Sequence, residues 1–456
     1  MGAPVLTGSQ MAEGLKKPIT PKPKRNPVFA MMGIPGLPKK LPSRNWMIFL
    51  TVTGAISAAI IYDKREKNRA TAKWRRAVAP LADEKLSSCT QLPRKLTIYL
   101  ESPPGDGFYV ARNHFVEYVK PVLASSGLDW EFVQGRMQGD VRAAVAEKIR
   151  YSRRKSERPG EPMPDTDEAR LEDIRKQMGV PDYEGIKGDV VIGRHTWKEY
   201  VRGLHEGWLG PLDPPAQPEA EPQPVPKAID AASGVNGEGD RKPAQEEKKP
   251  EEEKKEEEKK PERPPQPIPY NSTKDYDSAA LPAQIPNEFS PSVIIPLPHR
   301  IGFTHTFVRL GRFFNRRKLA DDIGREVAAA CFAASREYRS TGEGEYEQQY
   351  TLFQEEKDWV KRVWEDEKPD GDAEKPVGPP KEKIWASPMV VDPRIVSRMR
   401  RFEITPEHEA KAAEVVVPET EIEGWIKGSL RGLWQWGASS FEKKPTGPNV
   451  GNLDDD

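Results

Sequence analysis

The sequence predicts an α/β fold tethered by a single N-terminal transmembrane helix, with a mostly parallel sheet flanked by helices. Three observations support this prediction. Residues 46–62 carry no charge in a chain that is 31% charged. Strand-like and helix-like patterns alternate from residue 95 to residue 208. A long stretch rich in proline, lysine and glutamate then predicts a disordered insertion, and a helical C-terminal part follows it.

The uncharged run predicts the membrane anchor. As a helix its 17 residues would span about 25 Å, close to the thickness of a bilayer core. Aromatic residues stand at both ends, where their rings favour the membrane interface. Gly54 and Ala58 form a small-xxx-small pair that would let another helix approach closely, although such a pair is also ordinary in helices. The membrane-spanning prediction includes Trp46, Ile48, Leu50, Gly54, Ala58, Ile61 and Tyr62.

Two alternatives remain for this run: a buried core helix and a cleaved secretory signal. Against a signal, 45 residues precede the run, and no small-residue cleavage site followed by a neutral stretch ends it. Residues 1–45 hold eight basic residues and one acid, Glu13, so we predict an uncleaved basic tail. Seven basic residues in 64–76 would keep the C-terminal side inside by the positive-inside rule, although long domains translocate despite such charges.

Between residues 63 and 210 the pattern predicts a basic juxtamembrane helix, at about 63–79, followed by an α/β domain. Apolar residues alternate in Lys95–Leu100 and again around Trp130, which predicts two strands. Asp189–Gly193 is a short apolar run, as expected of a strand buried on both faces. Helical spacing follows each strand, at Phe108, Ala111, Phe115, Tyr118, Val119 and Val122, at Val141, Ala144, Val145 and Ile149, and at Trp197, Tyr200, Val201, Leu204 and Trp208.

Residues 211–285 are predicted to be a disordered linker rich in Pro, Lys and Glu. Residues 211–269 hold 14 of the 46 prolines, and 241–263 hold nine basic residues and nine glutamates. So few apolar side chains cannot offset the entropy lost on ordering. A solvated Lys/Glu helix is an alternative for part of this stretch, and either form would serve as a spacer or as a docking segment.

Residues 286–456 are predicted to be a second, helix-rich part of the soluble domain with a polar tail. A strand is expected at Ser292–Ile295, with helices at about 319–334 and 344–366 and a short helix after Asp392. The buried stripe of the first helix includes Cys331, whose pairing with Cys89 stays open. Four arginines, Arg394, Arg398, Arg400 and Arg401, would face solvent or meet an anionic surface.

The last predicted helix, at about 420–437, combines an apolar stripe with glycines spaced four residues apart. Three glycines in register suggest close packing, because each costs roughly 1 kcal/mol in a helix. Such a helix would lie on a membrane, dock on a partner or pack on the protein's own core. The residues predicted to contact a partner or lipid are Trp425, Ile426, Leu430 and Trp434.

The sequence contains no catalytic constellation, and we predict no catalytic residue, cofactor site or metal site. Net charge is zero, which argues against a nucleic-acid partner. Two cysteines and six histidines form no metal-binding or redox motif. Gly105-Asp106-Gly107 is a weak candidate for an anion-binding loop and is better explained as a turn. His195 ends a predicted strand, where α/β proteins often bind ligands, but a capped or solvated histidine is the simpler interpretation.

Three segments resemble the fungal Tim54 family of mitochondrial inner-membrane translocase subunits. They are Pro42–Trp46 leading into the anchor, Lys95–Gly107 (KLTIYLESPPGDG) and Val293–Asp321 (VIIPLPHRIGFTHTFVRLGRFFNRRKLAD). The similarity covers most of residues 30–440, except the 211–285 linker. It is spread along the chain and includes no catalytic fingerprint.

The resemblance implies a single-spanning, non-enzymatic subunit of the carrier translocase, the complex that inserts multi-spanning carrier proteins into the mitochondrial inner membrane. It implies a short N-terminal tail in the matrix and a large domain in the intermembrane space, opposite to the local charge bias. The implied partners are the channel-forming subunit, the small Tim chaperone complex, other inner-membrane translocase subunits, carrier precursors and inner-membrane lipid. We therefore expect a docking and assembly subunit for chaperone-bound precursors.

Two other functions stay open. One is a membrane-anchored α/β enzyme, such as a transferase, using an anionic cofactor near Gly105–Gly107. The other is a membrane tether whose C-terminal amphipathic helix binds a second bilayer.

Overall fold

A computed structural model describes residues 43–85, 91–161, 167–180, 183, 185–215, 266–342, 344–365 and 381–441. The chain divides into two compact units, residues 1–59 and 60–456. The predicted basic tail up to residue 42, Cys89, and residues 216–265 of the predicted linker lie outside the described residues. The division of the chain into domains therefore stays a prediction.

The structure has helices and strands in the following order. The first half contains α1 (Arg44–Val78), β1 (Lys95–Glu101), α2 (Tyr109–His114), a π-helical turn (Phe115–Val119), α3 (Lys120–Ser125), β2 (Asp129–Gly135), α4 (Asp140–Glu157), α5 (Asp167–Met178), β3 (Asp189–Ile192) and α6 (Arg194–Leu209). The second half contains β4 (Ser292–Ile295), α7 (Thr306–Phe313), α8 (Arg316–Phe332), β5 (Ser335–Glu337), β6 (Ser340–Gly342), β7 (Glu345–Tyr346), α9 (Glu347–Tyr350), α10 (Phe353–Glu356), α11 (Pro393–Val396), β8 (Arg400–Phe402), α12 (Pro406–Glu414), α13 (Glu419–Ile422) and α14 (Trp425–Phe441).

Six strands form one sheet in the order β2-β1-β3-β4-β8-β5. All neighbouring pairs are parallel except the edge pair of β5 and β8. Ile98 lies at the centre of the first three strands, opposite Phe132 on one side and Val190 on the other. The predicted α/β fold with a mostly parallel sheet is confirmed, and strands from both halves of the chain build it.

Helices cover both faces of this sheet because successive strand residues point to opposite sides. Leu96, Ile98 and Leu100 pack against the C-terminal part of α1, the α2–α3 segment and α8. Tyr99 and Val191 point the other way and pack against α4 and α6. The central strands β1, β3 and β4 are therefore buried on both faces, as the apolar run at β3 predicts.

The helix α6 is enclosed more completely than its periodicity predicts, since all sixteen of its residues are buried. The segment at 266–290 and the segments at 348–360 and 381–396 supply partners for its polar side chains. Arg202 donates to the Asn271 side chain at 2.8 Å, and Lys198 donates to the carbonyl oxygen of Trp385 at 2.5 Å. Residues 266–285, inside the predicted linker, thus pack on the body.

Two expected helices differ from the sequence prediction. The juxtamembrane helix is not separate, because α1 runs without a break from Arg44 to Val78. The single helix expected at 344–366 is wrong: α9 and α10 are one-turn helices, separated where Leu352 adopts a left-handed φ of 58°. This turn directs the Glu355 side chain to the backbone N–H groups of Arg194 and Leu297.

The four arginines near β8 bind groups of the chain itself. Arg394 pairs with Asp392 at 2.6 Å, and Arg401 pairs with Glu347 at 2.6 Å. Arg400 pairs with Glu288 at 2.9 Å, and Arg398 donates to the carbonyl oxygen of Arg394. All four arginines are partly buried, and their contact with an anionic surface stays a prediction.

Candidate membrane and partner surfaces

The N-terminal part of α1 exposes its apolar side chains. Residues 46–62, among them Trp46, Ile48, Leu50, Gly54, Ala58, Ile61 and Tyr62, are exposed apart from the half-buried Thr53. Thr51 and Thr53 donate their hydroxyl hydrogens to carbonyl oxygens one turn back, at 2.9 and 2.8 Å. In lipid such internal bonds satisfy polar groups that water cannot reach. Among the described residues, α1 is the one helix long and apolar enough to cross a membrane.

Asp63, directly after the apolar run, joins α1 to α8. Its carboxylate accepts hydrogen bonds from the backbone N–H groups of Arg316 and Arg317, at 3.2 and 3.4 Å. These N–H groups begin α8, where the helix dipole favours a negative charge. The Arg317 guanidinium also lies over the Tyr62 ring, 5.1 Å from its centre. The end of the apolar run is therefore fixed to the start of α8.

Further along α1, the contacts with α8 continue. Trp74 donates its indole N–H to Asp321 at 2.7 Å, and Lys73 pairs with the same carboxylate at 2.5 Å. A Cβ atom at Gly324 would lie 2.3 Å from the Trp74 ring, so the glycine makes room for it. The polar half of α1 is thus a part of the body.

The helix α14 leaves predicted contact residues uncovered by the described part of the chain. Leu430 and Trp434 are 63% and 75% exposed, while the side chains of Trp425 and Ile426 lie outside the described residues. A Cβ atom at Gly424, Gly428 or Gly432 would meet nothing within 4 Å. The preceding helix α13 is held to α1 by pairs of Glu419 with Arg65 at 2.5 Å and Glu421 with Arg76 at 2.6 Å.

The carboxyl end of the sheet is where open α/β folds bind ligands, in the crevice beside the strand from which the chain turns both ways. Here that strand is β1, between β2 and β3. Glu355 occupies the place of an anion, since it accepts from the backbone N–H of Arg194 at 3.0 Å and of Leu297 at 2.7 Å. The cavity beside it measures about 10 Å³, roughly the space of one water molecule. Burial raises the pKa of Glu355 to about 7.

The two sites that the sequence suggested near this crevice, Gly105–Gly107 and His195, are packed against the residues that fill it. Gly105 has a φ of 84°, and a Cβ atom there would lie 3.1 Å from Val360 and 3.3 Å from Ile301. His195 is buried and donates from Nε2 to the carbonyl oxygen of Glu101 at 3.1 Å. Burial lowers the pKa of His195 to about 4, so its ring is neutral at physiological pH. The interpretation of Gly105–Gly107 as a turn and of His195 as a structural histidine fits these contacts.

A surface that sequence reasoning missed lies at α7 and the turn before it. The three side chains Phe303, Phe307 and Leu310 are exposed, as are most residues from 302 to 318. The signal was present in the sequence: residues 300–318 hold five arginines and one lysine, and no acid occurs between Glu288 and Asp321.

Comparison with known proteins shows the family. A family model described as "Inner membrane protein import complex subunit Tim54" matches residues 26–402. A mitochondrial import inner membrane translocase subunit tim54 of Neurospora crassa is 53% identical, over 93% of this chain and 91% of the relative. The subunits of the same name from Aspergillus oryzae and Saccharomyces cerevisiae are 42% and 26% identical, over 92% and 89% of this chain and 99% of each relative.

The family model covers far more than half of the chain, and the Neurospora and Aspergillus relatives align with nearly all of it. The relatives are named as translocase subunits of the mitochondrial inner membrane. The chain belongs to the Tim54 family of inner membrane protein import complex subunits.

Proposed function

We propose that this subunit is non-catalytic and that it docks chaperone-bound carrier precursors and supports assembly of the carrier translocase. Its proposed partners are the channel-forming subunit, the small Tim chaperone complex, other inner-membrane translocase subunits, carrier precursors and inner-membrane lipid, with no nucleic acid. The proposed topology places the N-terminus in the matrix and the large domain in the intermembrane space.

The filled crevice at the carboxyl end of the sheet is the observation that supports this proposal. Glu355 accepts the two backbone N–H groups that an anionic ligand would use, and the remaining cavity is about 10 Å³. An anchored enzyme with an anionic cofactor at this place would first have to expel Glu355. At the carboxyl end of the sheet, the body therefore offers no open crevice for such a cofactor.

Two of these surfaces carry the proposed contacts. Residues 46–62 of α1 cross the membrane, and Gly54 with Ala58 provides a flat side for a neighbouring transmembrane helix. On the body, α14 presents Leu430 and Trp434 beside Gly428 and Gly432, with Trp425 and Ile426 proposed for the same contact. An exposed apolar helix face of this kind marks an interaction site.

Purification of the full chain in mild detergent tests the proposal. We expect the tagged protein to bring down a multi-subunit membrane complex that includes the channel-forming subunit. Trp434→Glu together with Leu430→Glu should reduce recovery of partner subunits several-fold, whereas Gln435→Glu on the same helix should not. Isolation of the wild-type chain alone, in a form that binds nucleotide, would favour an enzyme.

Protease treatment of mitochondria tests the topology. With the outer membrane ruptured by swelling, a protease should digest the region after residue 63 while the inner membrane stays closed. Protection of that region until detergent is added would place the body in the matrix and contradict the proposed topology.

A further inference from the structure

The helix α7 departs from the usual rule that a helix buries its apolar side. None of its eight residues is buried, and Phe303 and Phe307 are 90% and 84% exposed. Phe307 and Leu310 lie on one side, since three residues make nearly one turn. An exposed apolar surface of this kind marks a site that is covered by a membrane or by another molecule.

The polar side of α7 is the side attached to the body. Arg312 donates to Asp358 at 3.4 Å, and Asp358 also pairs with Arg300 at 2.6 Å. Arg312 lies about 140° around the helix from Phe307 and about 160° from Leu310, at 100° per residue. The link to Asp358 therefore turns the apolar side of α7 away from the body.

The position of α7, next to the end of the apolar run of α1, indicates that a bilayer covers its exposed side. Only residues 314 and 315 separate the end of α7 from the start of α8, which lies at the Asp63 carboxylate, with Arg317 over the Tyr62 ring. Tyr62 and Asp63 are the residues at which the apolar run of α1 ends. The corner between α7 and α8 is thus held at the level where α1 would leave the bilayer.

Charge on this corner complements an anionic membrane surface. Arg309, Arg316 and Lys318 are exposed, and the stretch from 289 to 320 contains no acid. Aromatic and aliphatic side chains on one side, with arginines on the other, are typical of a helix that lies in the plane of the interface. Basic residues near the surface add attraction to anionic headgroups.

We infer that α7 and Phe303 lie in the interface of the bilayer that α1 crosses, with Phe303, Phe307 and Leu310 among the acyl chains and Arg309 and Lys318 beside anionic headgroups. The body would then be held to the membrane at two points, the end of α1 and the face of α7. This inference rests on the proposed span of α1.

Site-directed fluorescence on the full chain in proteoliposomes tests the inference. A polarity-sensitive probe is attached to Phe307→Cys in a Cys89→Ser background; Cys331 does not compete because it is buried, with its thiol pKa raised to about 11. The vesicles contain phosphatidylcholine and phosphatidylglycerol with brominated acyl chains as quenchers. We expect quenching at residue 307 to be several-fold stronger than at the control position.

Val416→Cys is the matched control. Val416 is 82% exposed, much like Phe307, but its carbonyl oxygen accepts from Arg76 at 2.8 Å. Arg76 lies 13 residues beyond Asp63 on α1, about 20 Å further along the helix. A probe there should stay out of the acyl chains.

Ile56→Cys separates failure of this inference from failure of the proposed span. Strong quenching at residue 56 with equal, weak quenching at 307 and 416 would overturn the inference and leave the span of α1 standing. Weak quenching at residue 56 would overturn both the span and the inference.

The headgroup contact has its own test. Quenching at residue 307 should fall in vesicles of phosphatidylcholine alone, and Arg309→Gln with Lys318→Gln should produce a similar fall in the anionic vesicles. Equal quenching in both lipids and in both proteins would overturn the part of the inference that assigns anionic headgroups.

Discussion

The helices α6 and α7 break the usual amphipathic rule in opposite directions. All sixteen residues of α6 are buried, although they include Arg202, Glu206 and other charged side chains. None of the eight residues of α7 is buried, although they include two phenylalanines and Leu310. The difference shows that a helical pattern tells which side chains share a face, while the rest of the chain decides what covers that face.

The charged side chains of α6, and His205, are each buried together with a partner. His205 accepts from the backbone N–H of Asp392 at 2.9 Å, and Glu206 accepts from the backbone N–H of Tyr270 at 3.1 Å. These two partners come from segments 187 and 64 residues further along the chain, beyond residues 216–265. Burial of charge is tolerated when each charge is paired and hydrogen-bonded.

The largest expected effect is the loss of a buried charge from α6. Glu206 pairs with both Arg142 and Arg150, and all three side chains are buried. Glu206→Ala removes the carboxylate that binds both arginines and should lower the free energy of unfolding by about 3–5 kcal/mol. Denaturant unfolding of the full chain in detergent measures this change.

The matched change in α7 is Arg312→Ala. Its partner Asp358 keeps Arg300, and the Arg312 side chain is 42% exposed. A pair that is partly in water contributes only about 0–1 kcal/mol, so the unfolding midpoint should hardly move. Equal losses for the two variants would contradict the contrast between the helices.

The next effect concerns a glycine in each helix. A Cβ atom at Gly203 in α6 would lie 2.7 Å from the carbonyl oxygen of Arg142 and 2.8 Å from Val145, whereas one at Gly311 in α7 would meet nothing within 4 Å. Gly203→Ala should therefore destabilise the protein by about 1–3 kcal/mol. Gly311→Ala should stabilise it by up to about 1 kcal/mol, because alanine is the better helix former. Thermal unfolding distinguishes opposite signs directly.

A smaller effect depends on pH. Glu101 at the end of β1 is buried, and burial raises its pKa well above the ordinary value of 4.5, with the negative charge of Glu199 on α6 and of Asp140 raising it further. A carboxyl with a raised folded-state pKa stabilises the fold fully below its unfolded-state pKa, and this stability is lost as pH rises.

Glu101→Gln removes that titration while keeping the shape of the side chain. The variant should gain stability relative to wild type as pH rises from 5 to 8, by about 1 kcal/mol or more. Glu172→Gln on α5 is the control: pairing with Lys155 helps lower the pKa of Glu172 below its ordinary value of 4.5, so the difference from wild type should stay nearly constant from pH 5 to 8. A pH-independent difference for Glu101→Gln would show that Glu101 is charged in the folded protein.

Much of the fold followed from periodicity. The alternation in Lys95–Leu100 and the apolar run at Asp189–Gly193 predicted β1 and β3 because a strand's pattern records its two faces directly. The apolar run at 46–62 predicted the exposed part of α1 from composition alone, because an uncharged apolar stretch of this length is enough to indicate a membrane-spanning helix.

Long-range partners could not be predicted in this way. Nothing in the local sequence shows that Arg401 meets Glu347, or that Glu355 reaches the N–H groups of Arg194 and Leu297. The expected helix at 344–366 failed because those tertiary contacts outweighed its helical spacing. Of the predicted contact residues, Leu430 and Trp434 are exposed, but their binding partner is a property of another molecule and stays a prediction.

The smallest expected effect is on α7 itself. Leu310 is exposed, so Leu310→Ala removes few contacts within the chain and should change the free energy of unfolding in detergent by less than about 0.5 kcal/mol. Leu204→Ala, the same change in α6, opens a cavity among buried neighbours and should cost about 2–5 kcal/mol. A comparable cost for Leu310→Ala would mean that the face of α7 is covered by the chain itself. A negligible change in the free energy of unfolding would show that the apolar face of α7 does not stabilise the fold. That result is the one expected of a face that contacts the membrane.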